Sequence, residues 1–157
     1  MKEYLLLHKT SLNNYLIFNK TLGNNSLSQL FFILFSDFRP KEKDFLNQMV
    51  SFYNASFIYH NFKYNMLYLG RADWELDEDI TCPSDEEFSD YVNENNSCKM
   101  SLENFLEFRK QWIALKQNLQ PFAIIYRDEH DWVDCKGFDS KEAMELFVKN
   151  YQPAVEH

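Results

Sequence analysis

The chain has 157 residues, 45% of them hydrophobic, and is long enough for one domain with a sizeable buried core. Its 16 basic and 24 acidic residues give a formal net charge of -8, which disfavours binding to nucleic acid or to an anionic membrane. Only three glycines and four prolines argue against a collagen-like chain or a long disordered linker.

The first third of the chain predicts one β-hairpin and two further elements. Tyr4–His8 and Tyr15–Asn19 are apolar runs on either side of a polar turn, which is typical of paired strands. Leu27–Ser36 follows a capping-box pattern and is either a buried helix or a strand, because so short an apolar run has no decisive period. Apolar residues at helical spacing predict a helix from Pro40 to about Asn54.

The middle of the chain predicts a second hairpin, a long loop and a helix. Ser56–His60 and Tyr64–Gly70 form the hairpin, and the loop after it holds one short element near Phe88–Val92. Ser101 caps the helix that follows. The predicted buried stripe of that helix is Leu102, Phe105, Leu106, Trp112 and Ile113.

The last part of the chain predicts a third hairpin and a final helix. The hairpin strands are Pro121–Arg127 and Asp131–Cys135, and Asp139 with Glu142 makes a capping-box pattern before the helix. The residues predicted to face inward from this helix are Ala143, Met144, Phe147, Val148 and Tyr151, with Glu145 and Lys149 as an outer ion pair.

Hairpins alternating with helices predict an α+β fold, with helices packed on an antiparallel or mixed sheet. The chain has no Gly-rich turn between a strand and a helix, which argues against a nucleotide-binding α/β fold. We expect a single domain over residues 1–154. Residues 155–157 look like the junction to a purification tag and are left out of the functional argument.

The negative charge of the chain is concentrated in one stretch. Ten of the 24 acidic residues lie in the 22 positions from Asp73 to Glu94, and no lysine or arginine interrupts them. The 16 basic and 14 acidic residues elsewhere leave about +2. A charged surface of one sign attracts a partner of the opposite sign and speeds its approach.

The acidic stretch predicts a docking surface for a basic protein. An EF-hand calcium loop needs glycine at its sixth position and glutamate at its twelfth, where this chain has Glu78 and Ser84. A solvated acidic loop is the simplest reading, but Trp74, Phe88 and Tyr91 favour binding, because aromatic side chains anchor interfaces. The predicted partner-binding residues are Asp73, Trp74, Glu75, Asp77, Glu78, Asp79, Asp85, Glu86, Glu87 and Asp90.

The turn of the third hairpin is a second candidate site. His130 with its neighbouring carboxylates has the groups of a general base or a metal site, although a polar hairpin turn is the simpler reading. The residues predicted as a secondary interface are Asp128, Glu129, His130, Asp131 and Trp132.

No sequence motif predicts catalysis, a cofactor or a metal. The chain has no GxSxG, Walker or HExxH motif, and Cys82, Cys98 and Cys135 lack zinc-ligand spacing. We expect reduced thiols, with Cys98 and Cys135 acting as small buried apolar groups. The apolar runs are too short for a signal peptide or a bilayer span, so we expect a cytoplasmic protein.

The segment Lys99–Phe108 carries a family resemblance. A short strand here continues directly into a Ser-capped LxxFL helix after an acidic stretch, in an aromatic-rich and Asn-rich chain. In this it resembles the bacterial immunity proteins of contact-dependent growth inhibition and other polymorphic toxin systems. The resemblance implies binding to a cognate toxin domain, often a cationic nuclease, whose active site or substrate surface is blocked.

Two alternative functions stay open from sequence. One is a DNA mimic that inhibits a nucleic-acid enzyme, although a mimic needs carboxylates spread over its surface and these sit in one block. The other is a small enzyme using His130 and its neighbouring carboxylates.

Overall fold

A computed structural model describes residues 1–23, 26–35, 50–53, 56–71, 92–93 and 95–152. The elements in chain order are β1 (Glu3–Lys9), β2 (Tyr15–Lys20), α1 (Ser26–Phe35), β3 (Val50–Tyr53), β4 (Ser56–Asn61), β5 (Met66–Arg71), β6 (Ser97–Ser101), α2 (Leu102–Asn118), β7 (Phe122–Arg127), β8 (Val133–Phe138) and α3 (Lys141–Lys149). Within these ranges the strands form two antiparallel sheets, which confirms the predicted α+β class.

The chain divides into two compact units. The first unit joins Met1–Gly23 to Glu103–His157, and the second unit is Asn24–Leu102. Each unit contains one of the two four-stranded sheets. The expectation of a single domain over residues 1–154 stays a prediction.

The three predicted hairpins are confirmed, and the ambiguous segment after the first hairpin is the helix α1. The predicted helix ending near Asn54 is wrong at its end, because Val50–Tyr53 is the strand β3. Its backbone pairs with β4 from Val50 opposite Tyr59 to Tyr53 opposite Ser56, and aromatic and β-branched residues favour such pairing. Residues 40–49 of that prediction and most of 88–92 lie outside the described residues.

The first unit is built around the pairing of β1 with β7. The register runs from Glu3 opposite Arg127 to His8 opposite Phe122, and β2 and β8 extend the sheet to the order β2-β1-β7-β8. On one sheet face α3 covers a core cluster made of Leu6, Ile124, Phe138 and Met144. Each hairpin therefore adds one edge strand to a central pair that is distant in sequence.

The helix α2 is held to β8 by the buried side chain of Asn104. Its Nδ2 donates to the carbonyl oxygen of Val133 and its Oδ1 accepts from the Val133 N–H, both at 2.8 Å. The side-chain amide of Asn104 thus makes the two hydrogen bonds to the Val133 backbone that a neighbouring strand would make. Sequence reasoning did not find this residue, because it took polar positions of the helix to be exposed.

The buried stripe of α2 differs from the prediction. Phe105 and Trp112 are buried as expected, whereas Ile113 is 48% exposed. The buried positions also include Phe108 and Leu115, which share a helix face with Phe105 and Trp112 at spacings of three and four. Ile113 lies one residue away from this stripe and so points about 100° away from it.

The start and the inner face of α3 also differ from the prediction. The N-cap is Ser140, not Asp139, and its Oγ accepts a hydrogen bond from the Ala143 N–H at 3.1 Å. Met144 is buried as expected, but Ala143 is exposed, because it points about 100° away from the stripe of Met144, Phe147 and Val148. Glu145 pairs at 3.7 Å with Lys141, one turn before it, and not with the predicted Lys149, one turn after it.

The second unit has the strand order β3-β4-β5-β6, with α1 packed against β5 and β6. By register, one sheet face carries the buried residues Ile58, His60, Leu67, Leu69, Cys98 and Met100. The buried His60 helps to hold the β4–β5 turn, because its Nε2 lies 3.1 Å from Asn65 Oδ1 in that turn. The strand β6 continues directly into α2, as the sequence predicts for Lys99–Phe108.

Gly70 provides a test of packing in the second unit. A Cβ at this position in β5 would collide with the backbone carbonyl oxygen of Asn96 and would lie 2.9 Å from the Phe57 ring. The Asn96 carbonyl belongs to the backbone directly before β6, so it cannot move aside without disturbing that strand. We expect Gly70→Ala to lower the free energy of unfolding by about 3 kcal/mol, measured by urea denaturation followed by circular dichroism.

Gly137→Ala is the matched control for this substitution. A Cβ at Gly137 in β8 would meet the side-chain amide of Gln120, whose far end can rotate away. We expect a loss below about 1 kcal/mol. Equal losses for the two variants, or no loss for Gly70→Ala, would contradict the close approach of β5 to Asn96.

Candidate functional site

The residues predicted to bind a partner fall into two groups in the structure. The ten between Asp73 and Asp90 lie outside the described residues, as does Cys82. The secondary candidates, Asp128–Trp132, form the turn of the β7–β8 hairpin. The site geometry is therefore built here from the hairpin turn and its surroundings in the first unit.

Asp128 fixes the shape of the hairpin turn. Its side chain is 3% exposed, and its Oδ1 accepts hydrogen bonds from the N–H groups of His130 at 2.8 Å and Trp132 at 3.0 Å. Its own N–H donates to the Trp132 carbonyl oxygen at 2.9 Å. Asp131 takes a left-handed backbone with φ of 65°, which aspartate tolerates better than most residues. Asp128 thus holds Trp132 in place.

The other two carboxylates of the turn, Glu129 and Asp131, pair with the two residues that precede β1. Lys2 Nζ lies 2.8 Å from Asp131 Oδ1, and the backbone nitrogen of Met1 contacts the Glu129 carboxylate. Arg127 adds a hydrogen bond from Nη1 to the Asp131 carbonyl oxygen at 3.1 Å. His130 is exposed at the end of the turn. These contacts tie the turn to the central strand.

A groove of about 390 Å³ lies beside the turn, between the sheet and the end of α3. The residues that define its chemistry are Tyr126, Asp128, Trp132, Asp134, Phe147 and Tyr151. Asn150 and Gln152 complete the lining, so four of the eight lining residues are aromatic and two are carboxylates. We call it the acidic groove.

Three rings of the acidic groove pack edge to face. The ring centroid of Tyr126 lies 5.5 Å from that of Phe147 and 5.8 Å from that of Tyr151, and those two lie 6.0 Å apart. Such contacts contribute about 0.5–1.5 kcal/mol per pair beyond burial. The rings are therefore fixed before any ligand arrives.

The carboxylates of Asp128 and Asp134 make the electrostatic potential in the acidic groove negative. Burial raises the pKa of the Tyr126 hydroxyl, and the nearby carboxylates of Asp134 and Asp128 raise it further. Burial also raises the pKa of the Cys135 thiol, with Asp134 as the second cause. The groove includes Asn150, the C-cap of α3, where the helix dipole is negative. Of these effects, the two carboxylates and the helix dipole favour a positively charged ligand, whereas burial disfavours any charge.

The face that holds the acidic groove already receives one cation from the chain. Lys136 Nζ lies 5.0 Å from the centroid of the Phe147 ring and 5.6 Å from that of Phe138. Cation–π contacts of this kind are worth about 0.5–2 kcal/mol.

The hairpin turn gives less support to a role of His130 as a general base or metal ligand. The Asp128 carboxylate accepts hydrogen bonds from the backbone N–H groups of His130 and Trp132. Among the described residues no group of three or more His, Cys, Asp and Glu side chains is placed to hold a metal ion. Within the same ranges every helix is too short or too polar to span a bilayer. Cys98 and Cys135 are buried, as predicted.

Sequence reasoning found Asp128 and Trp132 as site residues but missed the other six residues that line the acidic groove. Tyr126 and Asp134 are partners in the β7–β8 register, and Phe147 and Tyr151 are four positions apart at the end of α3. The hairpin pairing alone could have shown the first pair. The meeting of both pairs depends on how α3 crosses the sheet.

No protein-family model, curated protein or solved structure matches this chain.

The field in the acidic groove can be tested at Tyr126. Asp134 is the largest charged contribution to its raised pKa, so Asp134→Asn should lower that pKa. The measurement follows the NMR signal of Tyr126 Cζ up to the alkaline limit of the folded chain, where the signal should have moved further toward the phenolate position in the variant. Glu142→Gln, in the exposed first turn of α3, is the control and should leave Tyr126 unchanged. An equal or smaller displacement of the Tyr126 signal in Asp134→Asn would contradict the assigned contribution of Asp134.

Proposed function

We propose that this chain is a cytoplasmic immunity protein that binds a basic bacterial toxin domain, most simply a nuclease, and blocks its substrate surface. The observation that carries the proposal is the acidic groove, in which packed aromatic rings and the carboxylate of Asp134 line one cavity and the buried Asp128 adds negative charge beneath it. The family resemblance of Lys99–Phe108 and the acidic stretch support the same partner class.

The chemistry of the acidic groove matches one lysine or arginine side chain. A guanidinium or ammonium group can lie over an aromatic ring and approach a carboxylate at the same time. Interfaces are dominated by a few such anchors, in which Trp, Tyr and Arg are enriched. Trp132 and Tyr126 are therefore the groove residues expected to matter most for the lifetime of a complex.

The acidic stretch has a different task in this proposal. A nuclease must bind phosphate groups, so its working surface is basic. Ten clustered carboxylates between Asp73 and Glu94 attract that surface from a distance and raise the association rate. The stretch then governs how fast the partner arrives, and the groove governs how long it stays.

The two alternatives have less support. For an enzyme based on His130, the neighbouring Asp128 carboxylate is used to fix the turn. For a DNA mimic, two of the hairpin carboxylates, Glu129 and Asp131, pair with positive groups of the chain itself. No described feature favours either function over partner binding.

The test is binding to the product of the adjacent upstream gene, measured by biolayer interferometry at several salt concentrations. Reversing the charges of Asp77, Glu78, Asp79 and Asp85 to lysine should slow association about tenfold at low salt. The difference should shrink as salt shortens the screening length to about 8 Å near physiological ionic strength. Trp132→Ala with Asp134→Asn should instead raise the dissociation rate about 10- to 100-fold.

Glu107→Lys is the control, because this exposed glutamate lies on α2 away from the proposed residues in sequence. It should change neither rate by more than about twofold. The absence of any complex at low salt would overturn the proposed function. A complex that neither set of substitutions weakens would keep the immunity function and reject the acidic stretch and groove as its interface.

A further inference from the structure

A second groove lies in the first unit, on the same sheet face as the acidic groove. Its volume is about 310 Å³, and it is lined by His8, Lys9, Phe18, Pro121, Phe122 and Lys141. It contains no carboxylate. We call it the cationic groove, and the proposed function does not use it.

The central register of the sheet builds the floor of the cationic groove. His8 of β1 lies opposite Phe122 of β7 on one side and Leu16 of β2 on the other. The ring of Phe18 then packs edge to face against His8 at 5.8 Å and Phe122 at 6.4 Å, measured between centroids. Phe18 remains 38% exposed on this edge strand. The floor is thus a small aromatic surface that is open to a flat ring.

Two lysines stand beside this aromatic floor. Lys141 Nζ lies 5.6 Å from the centroid of the Phe18 ring, and Lys9 and His8 line the same groove. The Lys9 N–H donates to the Pro121 carbonyl oxygen at 2.8 Å, which fixes the backbone at this corner. The acid paired with Lys141 is Glu145 at 3.7 Å, with both side chains about half exposed. Exposed pairs of this kind are weak, so an anion can replace Glu145.

We propose that the cationic groove binds a small anion attached to a flat aromatic ring, with the size and chemistry of a nucleoside monophosphate. The ring would stack on the exposed Phe18 ring with Phe122 at its edge, and the phosphate would lie between Lys9 and Lys141, beside His8. The groove volume is at the small end of the range of about 300–1,000 Å³ for ligand sites, which suits a mononucleotide better than a larger cofactor. Rings for stacking and cations for phosphate are the two parts of nucleotide recognition that need no sequence motif.

The test compares adenosine monophosphate with its two halves by NMR titration of the full chain in low salt. We expect saturable binding of adenosine monophosphate, at least tenfold tighter than that of either adenosine or inorganic phosphate. The backbone signals of residues 8, 9, 18, 122 and 141 should move. Adenosine binding as tightly as the nucleotide, or the absence of saturable binding, would overturn the proposal.

Charge and ring variants separate the two parts of the groove. Lys9→Gln with Lys141→Gln should weaken nucleotide binding at least tenfold, and Phe18→Leu should weaken nucleotide binding while leaving phosphate binding unchanged. Lys149→Gln is the matched control, since Lys149 is an exposed lysine in the last turn of the same helix. If Lys149→Gln weakens binding as much as the double variant, the attraction is general and the site is wrong. Circular dichroism checks that each variant is folded.

Discussion

The antiparallel pairing of β1 with β7 is the constraint on which the first unit depends. It joins Glu3–His8 to Phe122–Arg127, two segments that are far apart in the chain, and so the loop between them must close before the sheet can form. The gain is a central pair of buried strands, with Leu5, Leu7, Ile124 and Ile125 almost fully buried. The two hairpins add their outer strands to this pair at little further cost in loop entropy.

The same register sets the chemistry at the two ends of one sheet face. At one end, the cross-strand row of His8, Phe122 and Phe138 lies near Lys141 at the start of α3. At the other end, the row of Tyr4, Tyr126 and Asp134 lies near Tyr151 after the helix ends. The helix covers the middle of the face through Met144 and Phe147. One helix crossing one sheet therefore leaves a cationic groove and an acidic groove that are separated by the core.

The features predicted correctly from sequence are local ones. Three hairpins follow from short apolar runs on either side of polar turns, and β6 leads into α2 as the pattern at Ser101 indicates. The errors occur where contacts between distant segments decide between a helix and a strand, or between two faces of one helix. Val50–Tyr53 has apolar residues that fit either period, and pairing with β4 makes it a strand. Ile113 fits a helical stripe, but the stripe that α2 buries passes through Phe108 and Leu115 instead.

The candidate site was predictable in charge but not in geometry. Composition alone reveals the block of ten acids, and the polar turn at Asp128–Trp132 is visible between its strands. The acidic groove is not visible, because Tyr126 and Asp134 meet Phe147 and Tyr151 only once α3 lies across the sheet. Asn104 illustrates the same limit, since a polar residue on a helix is normally exposed and here it pairs with the backbone of a strand.

The central claim is that a basic partner places a cationic side chain in the acidic groove. Hydrogen–deuterium exchange on the complex with the toxin domain, compared with the chain alone, tests this most directly. The account predicts slower exchange in residues 126–134 and 147–152, together with the acidic stretch at 73–94. Unchanged exchange at 126–134 and 147–152 in a saturated complex would contradict it.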